Sequence, residues 1–287
     1  LKLAQDKKAD LLLATDPDCD RVGIAVPSDN GYELFTGNEV GAMLLEYICS
    51  ERTKMGTMPA DPVAVKTIVT TDIAAKIAKE YGVKLIEVLT GFKFIGEQIG
   101  FLEDKGQEDR YIFGFEESYG YLAGSYVRDK DAVVASMLIC EMAAFYRTKG
   151  ISLIQARENM YKKYGVYIHS QSSFVCEGVT GMERMKEIMS DLRTNTPKTI
   201  GGLTVTRFED YLASTSVDTA TGAKTMLTLP KSDVLTFKLT DGASVIIRPS
   251  GTEPKIKAYY TTTGTTKAEA AALEKTISDD FAKILGF

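Results

Sequence analysis

The segment "VAVKTIVTTDIAAKIAKEYGVKLIEVL", Val63–Leu89, has the pattern of a strand, a helix and a second strand. Two short apolar runs flank a stretch in which Ile73, Ile77 and Tyr81 recur at helical spacing. Asp72 stands just before this stretch, where a helix N-cap is expected. A unit of this kind predicts two parallel strands joined by a crossover helix.

The same alternation continues on both sides of this segment. Upstream, residues 11–15 predict a buried strand, and residues 21–35 predict two strands joined by a turn at Asp29–Gly31. Asn38 is predicted to cap the helix that follows. Downstream, "FKFIGEQIGFLEDKG" predicts a helix, "RYIFGFEES" a strand, and "DAVVASMLICEMAAFYRTKG" a long helix ending at Gly150. The fold class is therefore α/β, with a mostly parallel sheet and helices on both faces.

The pattern changes after about Tyr164. Short strand-like runs separated by turns replace the strand–helix alternation, with one helix predicted in "MERMKEIMSDLRTN". The chain closes with a helix in which Thr266 and Glu269 have capping-box spacing. This part of the chain predicts a separate C-terminal antiparallel α+β domain.

The composition is that of an ordinary globular protein. The 287 residues are 44% hydrophobic and 25% charged, and the formal net charge is −5. The net negative charge argues against nucleic acid or an anionic membrane as partner. The sequence contains no apolar run of about 20 residues, so it predicts no membrane span. Four scattered cysteines and a single histidine make a Cys/His zinc site improbable and suit a reducing cytoplasm.

A first candidate loop is "TDPDCDR", Thr15–Arg21, in which Asp16, Asp18 and Asp20 alternate. A hard divalent cation takes oxygen ligands and would remove the repulsion among these carboxylates. An EF-hand fails, because the sixth position counted from Asp16 is arginine and the twelfth is proline. A haloacid-dehalogenase-type phosphatase fits poorly, because the fifth position is aspartate. A solvated acidic turn is the structural alternative.

Two further loops have the residues of a sugar-phosphate site. In "LTGFKFIG", Gly91 permits a tight turn and Lys93 sits at a helix start, which suits an anionic or polyhydroxyl ligand. In "GFEESYGYLAGSYVRDKDA", Glu116 and Ser118 can bond sugar hydroxyls, and Lys130 between two aspartates can move protons. An ordinary turn, a solvated acidic pair at Glu116–Glu117 and a capped helix are the alternatives.

The fourth loop is "IIRPSGTEPKIK". Arg248 can grip a phosphate bidentately, Ser250 and Thr252 can donate hydroxyls, and Gly251 lets backbone N–H groups approach an anion. Lys255 adds positive charge in an acidic protein. A P-loop is excluded, since the pattern GxxxxGK[ST] is absent. A plain hairpin connection is the alternative.

These four loops, in this order, resemble those of the α-D-phosphohexomutase superfamily, which contains phosphoglucomutases and phosphomannomutases. "TDPDCDR", "LTGFK", "FEESYGY" and "RPSGTEPKIK" are most similar to the bacterial phosphoglucomutase and phosphopentomutase-like branch. The phosphomannomutase branch commonly has a histidine in the second and third loops, where Lys93 and Tyr119–Gly120 stand here. This difference favours glucose phosphates.

The resemblance implies a protein of four domains around one cleft. The family's phosphoserine loop, similar to Thr-x-Ser-His-Asn-Pro, is absent from this sequence, and the chain opens without a methionine. We therefore expect a C-terminal fragment of a mutase, inactive alone. Residues 1–37 would end domain 2 with the metal loop, residues 38–165 would form the sugar-binding domain 3, and residues 166–287 the phosphate-binding domain 4.

The resemblance also assigns roles to individual residues. Lys130 would be the general acid/base, although the family's following Asp-Gly is Asp-Ala here. Arg21 would act in catalysis by supporting the region of the metal and the phosphoserine. Mg²⁺ and glucose 1,6-bisphosphate, as activator and intermediate, are the expected cofactors. A phosphosugar and the missing N-terminal domains are the expected partners, in the cytoplasm. The expected ligand sets are Asp16, Asp18 and Asp20 for the metal, Thr90, Gly91, Lys93, Glu116 and Ser118 for the sugar, and Arg248, Ser250, Gly251, Thr252 and Lys255 for the phosphate.

Several alternatives stay open at this stage. The implied reaction interconverts hexose 1-phosphate and 6-phosphate through a phosphoserine and a bisphosphate, but the sequence does not fix the sugar. A phosphomannomutase or phosphopentomutase has the same loops. A phosphatase with Asp16 as nucleophile and a non-catalytic phosphosugar-binding protein explain fewer of the loops. The oligomeric state is not predicted.

Overall fold

The computed structural model describes residues 1–176, 178, 180–251 and 253–287. The chain forms two compact units, Leu1–Tyr164 and Gly165–Phe287, and each is described by itself. Among the helices in these described ranges, none combines the length and the apolar character needed to cross a bilayer.

The first unit begins with a short helix and a three-stranded antiparallel sheet. Helix α1 (Lys2–Lys7) precedes strands β1 (Leu12–Thr15), β2 (Val22–Ser28) and β3 (Gly31–Phe35), which lie in the order β1-β2-β3. The three predicted strands and their turn are confirmed. The predicted burial of the first strand is wrong: its leucines are half-buried and its last two residues exposed. The physical reason is that β1 is an edge strand with only β2 beside it.

The segment Val63–Leu89 forms the predicted parallel pair of strands. Strand β4 (Val63–Thr67) pairs in parallel with β5 (Lys84–Val88) on one side and with β6 (Tyr111–Glu116) on the other. A short strand β7 (Gly120–Leu122) adds antiparallel to β6, which gives the order β5-β4-β6-β7. Because β4, β5 and β6 run in the same direction, their carboxyl ends, and the loops that follow, lie at one edge of the sheet.

Five helices complete the first unit: α2 (Gly37–Met55), α3 (Ile73–Glu80), α4 (Phe92–Glu103), α5 (Ala132–Thr148) and α6 (Leu153–Tyr164). They cover both faces of the parallel sheet, as predicted. Val65 packs with Ile95 of α4 in one apolar cluster. Phe115 is the lateral neighbour of Lys66 and lies against α2 at Gly41. Consecutive strand residues such as Val65 and Lys66 point to opposite faces, so α4 and α2 lie on opposite sides.

Of two predicted helix caps, the one at Asn38 is wrong and the one at Asp72 is confirmed in position only. Helix α2 is capped by Thr36, whose hydroxyl accepts from the Glu39 backbone N–H in a reciprocal capping box. Asn38 is instead buried, and its Oδ1 accepts from the Thr71 backbone N–H at 2.9 Å. Asp72 does stand at the N-cap position of α3 but makes no capping bond, because its carboxylate pairs with Lys66. In both cases a partner outside the helix holds the side chain.

In its described residues, the second unit is one antiparallel sheet with two α-helices. Its strands lie in the order β12-β11-β10-β13-β14-β15-β8, and β9 pairs with β10 alone. This arrangement confirms the predicted C-terminal antiparallel α+β domain. The helices are α7 (Gly181–Thr194) and α8 (Lys267–Ile284). The strands are β8 (Val166–Val175), β9 (Thr199–Ile200), β10 (Leu203–Asp210), β11 (Thr215–Asp218), β12 (Lys224–Met226), β13 (Leu235–Leu239), β14 (Ser244–Pro249) and β15 (Lys255–Gly264).

The core of the second unit lies between its sheet and its helices. Phe237 of β13, Tyr260 of β15 and Phe281 of α8 are all buried in one apolar cluster. Met185 and Met189 of α7 join it at helical spacing. The alternating inward residues of β13–β15 therefore fix which face of the sheet the helices cover. They also fix the register of β14 with β15, the two strands that flank the fourth predicted loop.

Substitution of Gly41 tests the packing of α2 on the parallel sheet. A Cβ at this position would lie 2.0 Å from Phe115 Cδ2, so Gly41→Ala forces the ring to shift. We expect it to lower the free energy of unfolding by about 1–3 kcal/mol, the usual cost of overpacking. Urea unfolding followed by circular dichroism measures this.

The matched control is Gly100→Ala in α4, where a Cβ meets nothing within 4 Å. It should be neutral or stabilise by roughly 0.4–1 kcal/mol, because alanine restricts the unfolded chain. Equal effects of the two substitutions would contradict the packing described for Gly41.

Candidate active site

Within the first unit, the structure brings together three of the four predicted loops. We call them the acidic loop (Asp16–Arg21), the glycine loop (Leu89–Lys93) and the glutamate loop (Glu116–Gly120). A fourth segment, the lysine turn (Asp129–Asp131), joins them. The glycine and glutamate loops follow β5 and β6, so the parallel sheet delivers both to one edge.

Backbone hydrogen bonds attach the acidic loop to this edge. The Val22 N–H donates to the Tyr119 carbonyl at 3.2 Å, and Arg21 forms a β-bridge with Gly120. The Ala132 N–H donates to the Cys19 carbonyl at 3.0 Å. The small antiparallel sheet and the start of α5 are thereby joined through the acidic loop, although they lie far apart in sequence.

Lys130 is the central charged group of the candidate site. Its side chain is 9% exposed, and its Nζ lies 3.1 Å from Asp20 Oδ2 and 2.6 Å from Asp129 Oδ1. Burial alone would lower the pKa of Lys130, but the bonds to Asp129 and Asp20 outweigh it and raise the pKa above its usual value. Lys130 is therefore an ammonium at neutral pH, which can donate a proton or stabilise negative charge.

The two aspartates beside Lys130 have different roles. Asp129 pairs with the ammonium. Asp131 Oδ1 accepts from the backbone N–H groups of Val133 and Val134 and so caps α5. The structural alternative considered for this segment, a capped helix, thus holds for Asp131 alone.

Glu116 is a buried carboxyl group at the end of β6. It is 5% exposed, and its Oε1 accepts from the Gly91 backbone N–H at 2.9 Å. Burial raises the pKa of Glu116, although the Gly91 N–H and the charge of Lys130 act in the opposite direction. The bond to Gly91 fixes the glutamate loop against the glycine loop.

Asp16 holds the acidic loop in shape. Its Oδ1 accepts from the backbone N–H groups of Asp20 and Arg21, both at 2.9 Å, and Arg21 Nη1 lies 3.8 Å from its Oδ2. The Arg21 N–H bond is the largest influence on the pKa of Asp16, which is lowered. Asp18 is exposed.

The expected metal site is not assembled in this geometry. Carboxylates are the correct donors for Mg²⁺, but Asp16 turns one oxygen to the loop backbone and Asp20 pairs with Lys130. Across the described part of the chain, no three His, Cys, Asp or Glu side chains are arranged to hold a metal ion. The assignment of these aspartates as ligands stays a prediction from donor chemistry.

The remaining predicted sugar residues lie on the same loops. Thr90 and Ser118 are half-buried, and Lys93 is exposed with its Nζ 4.8 Å from the centre of the Phe94 ring. The structure thus places Thr90, Gly91, Lys93, Glu116 and Ser118 at one edge of the sheet. Their role as ligand contacts stays a prediction.

Sequence reasoning missed two glycines that shape this site. A Cβ at Gly37 would lie 2.2 Å from the Glu117 carbonyl oxygen, so α2 starts directly against the glutamate loop. A Cβ at Gly120 would lie 2.5 Å from Lys130 Cδ. The glycines themselves are visible in "TGNE" and "SYGY". A short motif, however, cannot show which group from another part of the chain will approach a glycine.

The fourth predicted loop belongs to the second unit. Arg248 Nε and Nη2 donate to the Tyr259 hydroxyl at 3.3 and 3.0 Å, and the Ser250 N–H donates to the Lys255 carbonyl at 2.8 Å. Lys255 forms an ion pair with Glu253, and Gly251 is exposed. Thr252 lies outside the described residues.

Two partners in this fourth loop were not predicted. Tyr259 orients the Arg248 guanidinium from the adjacent strand, and Glu253 neutralises part of the charge that Lys255 contributes. Tyr259 could not be read from the loop sequence, because it reaches Arg248 only through the pairing of β14 with β15.

Comparison with known proteins defines the class. The family model "Phosphoglucomutase/phosphomannomutase, alpha/beta/alpha domain III" matches residues 36–164, and that for the C-terminal domain of the same family matches residues 192–279. The chain belongs to the phosphoglucomutase/phosphomannomutase family.

The curated relatives are similar in sequence and carry a specific enzyme name. Phosphoglucomutases of Staphylococcus aureus strains bovine RF122 / ET3-1 and MRSA252 are each 38% identical over 260 residues, covering 90% of this chain and 46% of the relative. The chain therefore spans about half the length of the curated relatives it matches.

Solved structures share the fold. Parafusin (phosphoglucomutase) from Paramecium, in its open form, has a TM-score of 0.68 at 20% identity, covering 96% of this chain and 45% of that chain. A phosphoglucomutase/phosphomannomutase family protein from Burkholderia thailandensis has a TM-score of 0.59 at 15% identity, covering 99% and 48%.

The raised pKa of Glu116 predicts a pH dependence of stability. The unfolded chain ionises this carboxyl near pH 4.5, whereas the folded chain does so at higher pH. The contribution of Glu116 to the free energy of unfolding therefore falls as the pH rises from about 4.5 through the folded pKa. Glu116→Gln keeps an acceptor for Gly91 but carries no charge, so it should be more stable than wild type at pH 7, with the difference shrinking towards pH 4.

Urea unfolding at both pH values measures this effect. Glu97→Gln is the control, because Glu97 is exposed on α4. A stability difference between Glu116→Gln and wild type that is the same at pH 4 and pH 7 would show that burial of the charge is not the cause.

Proposed function

We propose that this chain forms the sugar-phosphate-binding part of a phosphoglucomutase that interconverts hexose 1-phosphate and 6-phosphate through a phosphoserine and a bisphosphate intermediate. The observation that carries the proposal is the convergence of Lys130, Glu116 and the acidic loop at one edge of a parallel sheet. The 38% identity to phosphoglucomutases supports the choice of reaction.

The chemistry of the site residues suits phosphoryl transfer between hydroxyl groups. A phosphoryl acceptor must lose a proton and a leaving oxygen must gain one. Lys130 is an ammonium held by Asp129 and Asp20, so it is equipped to protonate the leaving oxygen and to stabilise negative charge on it. Arg21 adds a second cation to the same edge of the first unit.

The proposed substrate contacts follow from the side chains available. Glu116 and Ser118 would bond sugar hydroxyls, with Thr90, Gly91 and Lys93 completing recognition. Arg248, Ser250, Gly251, Thr252 and Lys255 would bind the phosphate, because arginine and lysine are the usual partners of phosphate oxygens. Hydroxyl contacts do not depend on which end carries the phosphate, so they can serve both orientations of the sugar.

Magnesium, glucose 1,6-bisphosphate and a cytoplasmic location complete the proposal. Three carboxylates within five residues support Mg²⁺ by donor type only. When bound, the ion would supply charge neutralisation for the phosphoryl group. Glucose 1,6-bisphosphate is proposed from the reaction itself. The four cysteines are all free thiols, which fits a reducing compartment.

Ligand binding by the chain tests the proposed substrate class. We expect calorimetry to detect weak binding of glucose 1-phosphate and glucose 6-phosphate. Glu116→Gln should weaken it about tenfold, the usual effect of losing a charged hydrogen bond, and Glu97→Gln should not.

Related ligands extend this experiment. Comparison of the affinities for glucose 1-phosphate, mannose 1-phosphate and ribose 1-phosphate distinguishes a phosphoglucomutase from a phosphomannomutase and a phosphopentomutase.

A Mg²⁺ effect on binding that disappears in Asp18→Asn would support the magnesium proposal. Absence of binding by any sugar phosphate would argue against the assigned site.

Activity can be tested in a chimera. Here this chain replaces the matched 260-residue part of the Staphylococcus aureus phosphoglucomutase, and glucose 6-phosphate is measured by a coupled dehydrogenase assay. Lys130→Met should lower kcat by about 10²–10⁴-fold, the contribution of a positioned proton donor. Lys149→Met, an exposed residue after α5, is the control. A Lys130→Met chimera of full activity would exclude Lys130 as the catalytic acid.

A further inference from the structure

Lys66 is a charged residue that the proposed mechanism does not use. It lies inside β4, its side chain is 0% exposed, and it is among the largest fully buried side chains of the chain. Its Nζ lies 2.7 Å from Glu87 Oε1 and 3.1 Å from Asp72 Oδ1, and it donates to the Thr70 carbonyl at 3.0 Å. All three hydrogens of the ammonium therefore have an acceptor.

The ion cluster is unequal in its burial. The carboxylates of Asp72 and Glu87 are 42% and 51% exposed and remain hydrated, whereas the ammonium is removed from water entirely. Burial alone would lower the pKa of Lys66, but Asp72 and Glu87 outweigh it and the pKa is raised. Replacement of a buried ion pair by apolar side chains is often neutral for stability, and here the two carboxylates that would remain are already in contact with water. Stability alone therefore gives a weak reason for a lysine here.

The partners of Lys66 lead directly to two site loops. Glu87 is its lateral neighbour on β5, two residues before the glycine loop starts. Thr67, the next residue of β4, shares a hydrogen bond with Thr70 at 2.7 Å and donates to Glu117 of the glutamate loop at 3.5 Å. One ammonium thus connects the end of β5 with the turn that contacts the end of β6.

We propose that Lys66 is a positioning residue, whose ammonium sets the relative placement of the glycine loop and the glutamate loop and thereby the binding of a sugar phosphate. This inference rests on the proposed function for its ligand, but its structural part can be tested without one. The bond between the Gly91 N–H and Glu116 joins the two loops and reports their relative placement.

Lys66→Met in the full chain separates positioning from stability. We expect the melting temperature to change by less than about 4 °C, because the two carboxylates can hydrate. Hydrogen exchange of the Gly91 amide, followed by NMR, should become at least roughly tenfold faster as its bond to Glu116 opens more often. Affinity for glucose 1-phosphate should fall about tenfold. Lys84→Met, an exposed residue at the start of β5, should change none of these quantities.

Glu87→Gln provides a second variant should Lys66→Met fail to fold. It keeps a hydrogen-bond acceptor but removes one charge at a half-exposed position, so it should accelerate Gly91 exchange by a smaller factor. Unchanged Gly91 exchange in folded Lys66→Met, or in Glu87→Gln if Lys66→Met is unfolded, would overturn the proposal. If wild type binds no sugar phosphate while the exchange effect is present, the proposed ligand fails and the positioning role stands.

Discussion

The ion pair between Lys130 and Asp20 is the interaction on which the candidate site depends most. It joins the acidic loop, which belongs to a small antiparallel sheet, to the start of α5, which belongs to the parallel layer. The Ala132–Cys19 backbone bond and the Arg21–Gly120 bridge act at the same junction. Without these attachments the two sheets of the first unit would deliver their loops independently, and the charged groups would not share one edge.

The electrostatics of this edge follow from local environment and not from residue type. Glu116 and Asp16 are both carboxylic acids, yet burial raises the pKa of the first and backbone N–H donors lower that of the second. Burial would lower the pKa of Lys130, but the two carboxylates beside it outweigh burial and raise the pKa. Groups that lie close together in this site therefore have pKa values shifted in opposite directions.

Periodicity predicted the alternating elements of the first unit and the antiparallel tail, because strand and helix spacing are local properties. The caps show where local reading fails. Thr36 and Glu39 form a readable capping box, but the prediction chose Asn38, whose amide oxygen serves Thr71. The loops that contain the candidate site were recognisable from residue type, whereas the partners within them were not. Tyr259, Lys66 and Asp20, the last as a partner of Lys130, acquire their roles from strand pairing and loop approach, which no short motif encodes.

Gly37 and Gly120 have a consequence for how such sites are found. Both stand where another part of the chain occupies the space of a Cβ atom, one beneath the glutamate loop and one beneath the Lys130 side chain. A search for functional residues by reactive side chains would miss both glycines, since neither has a side chain that could contact a ligand. A survey that scores every substitution would rank them beside the charged residues. Part of the information that specifies this chemistry thus lies in side-chain atoms that must be absent.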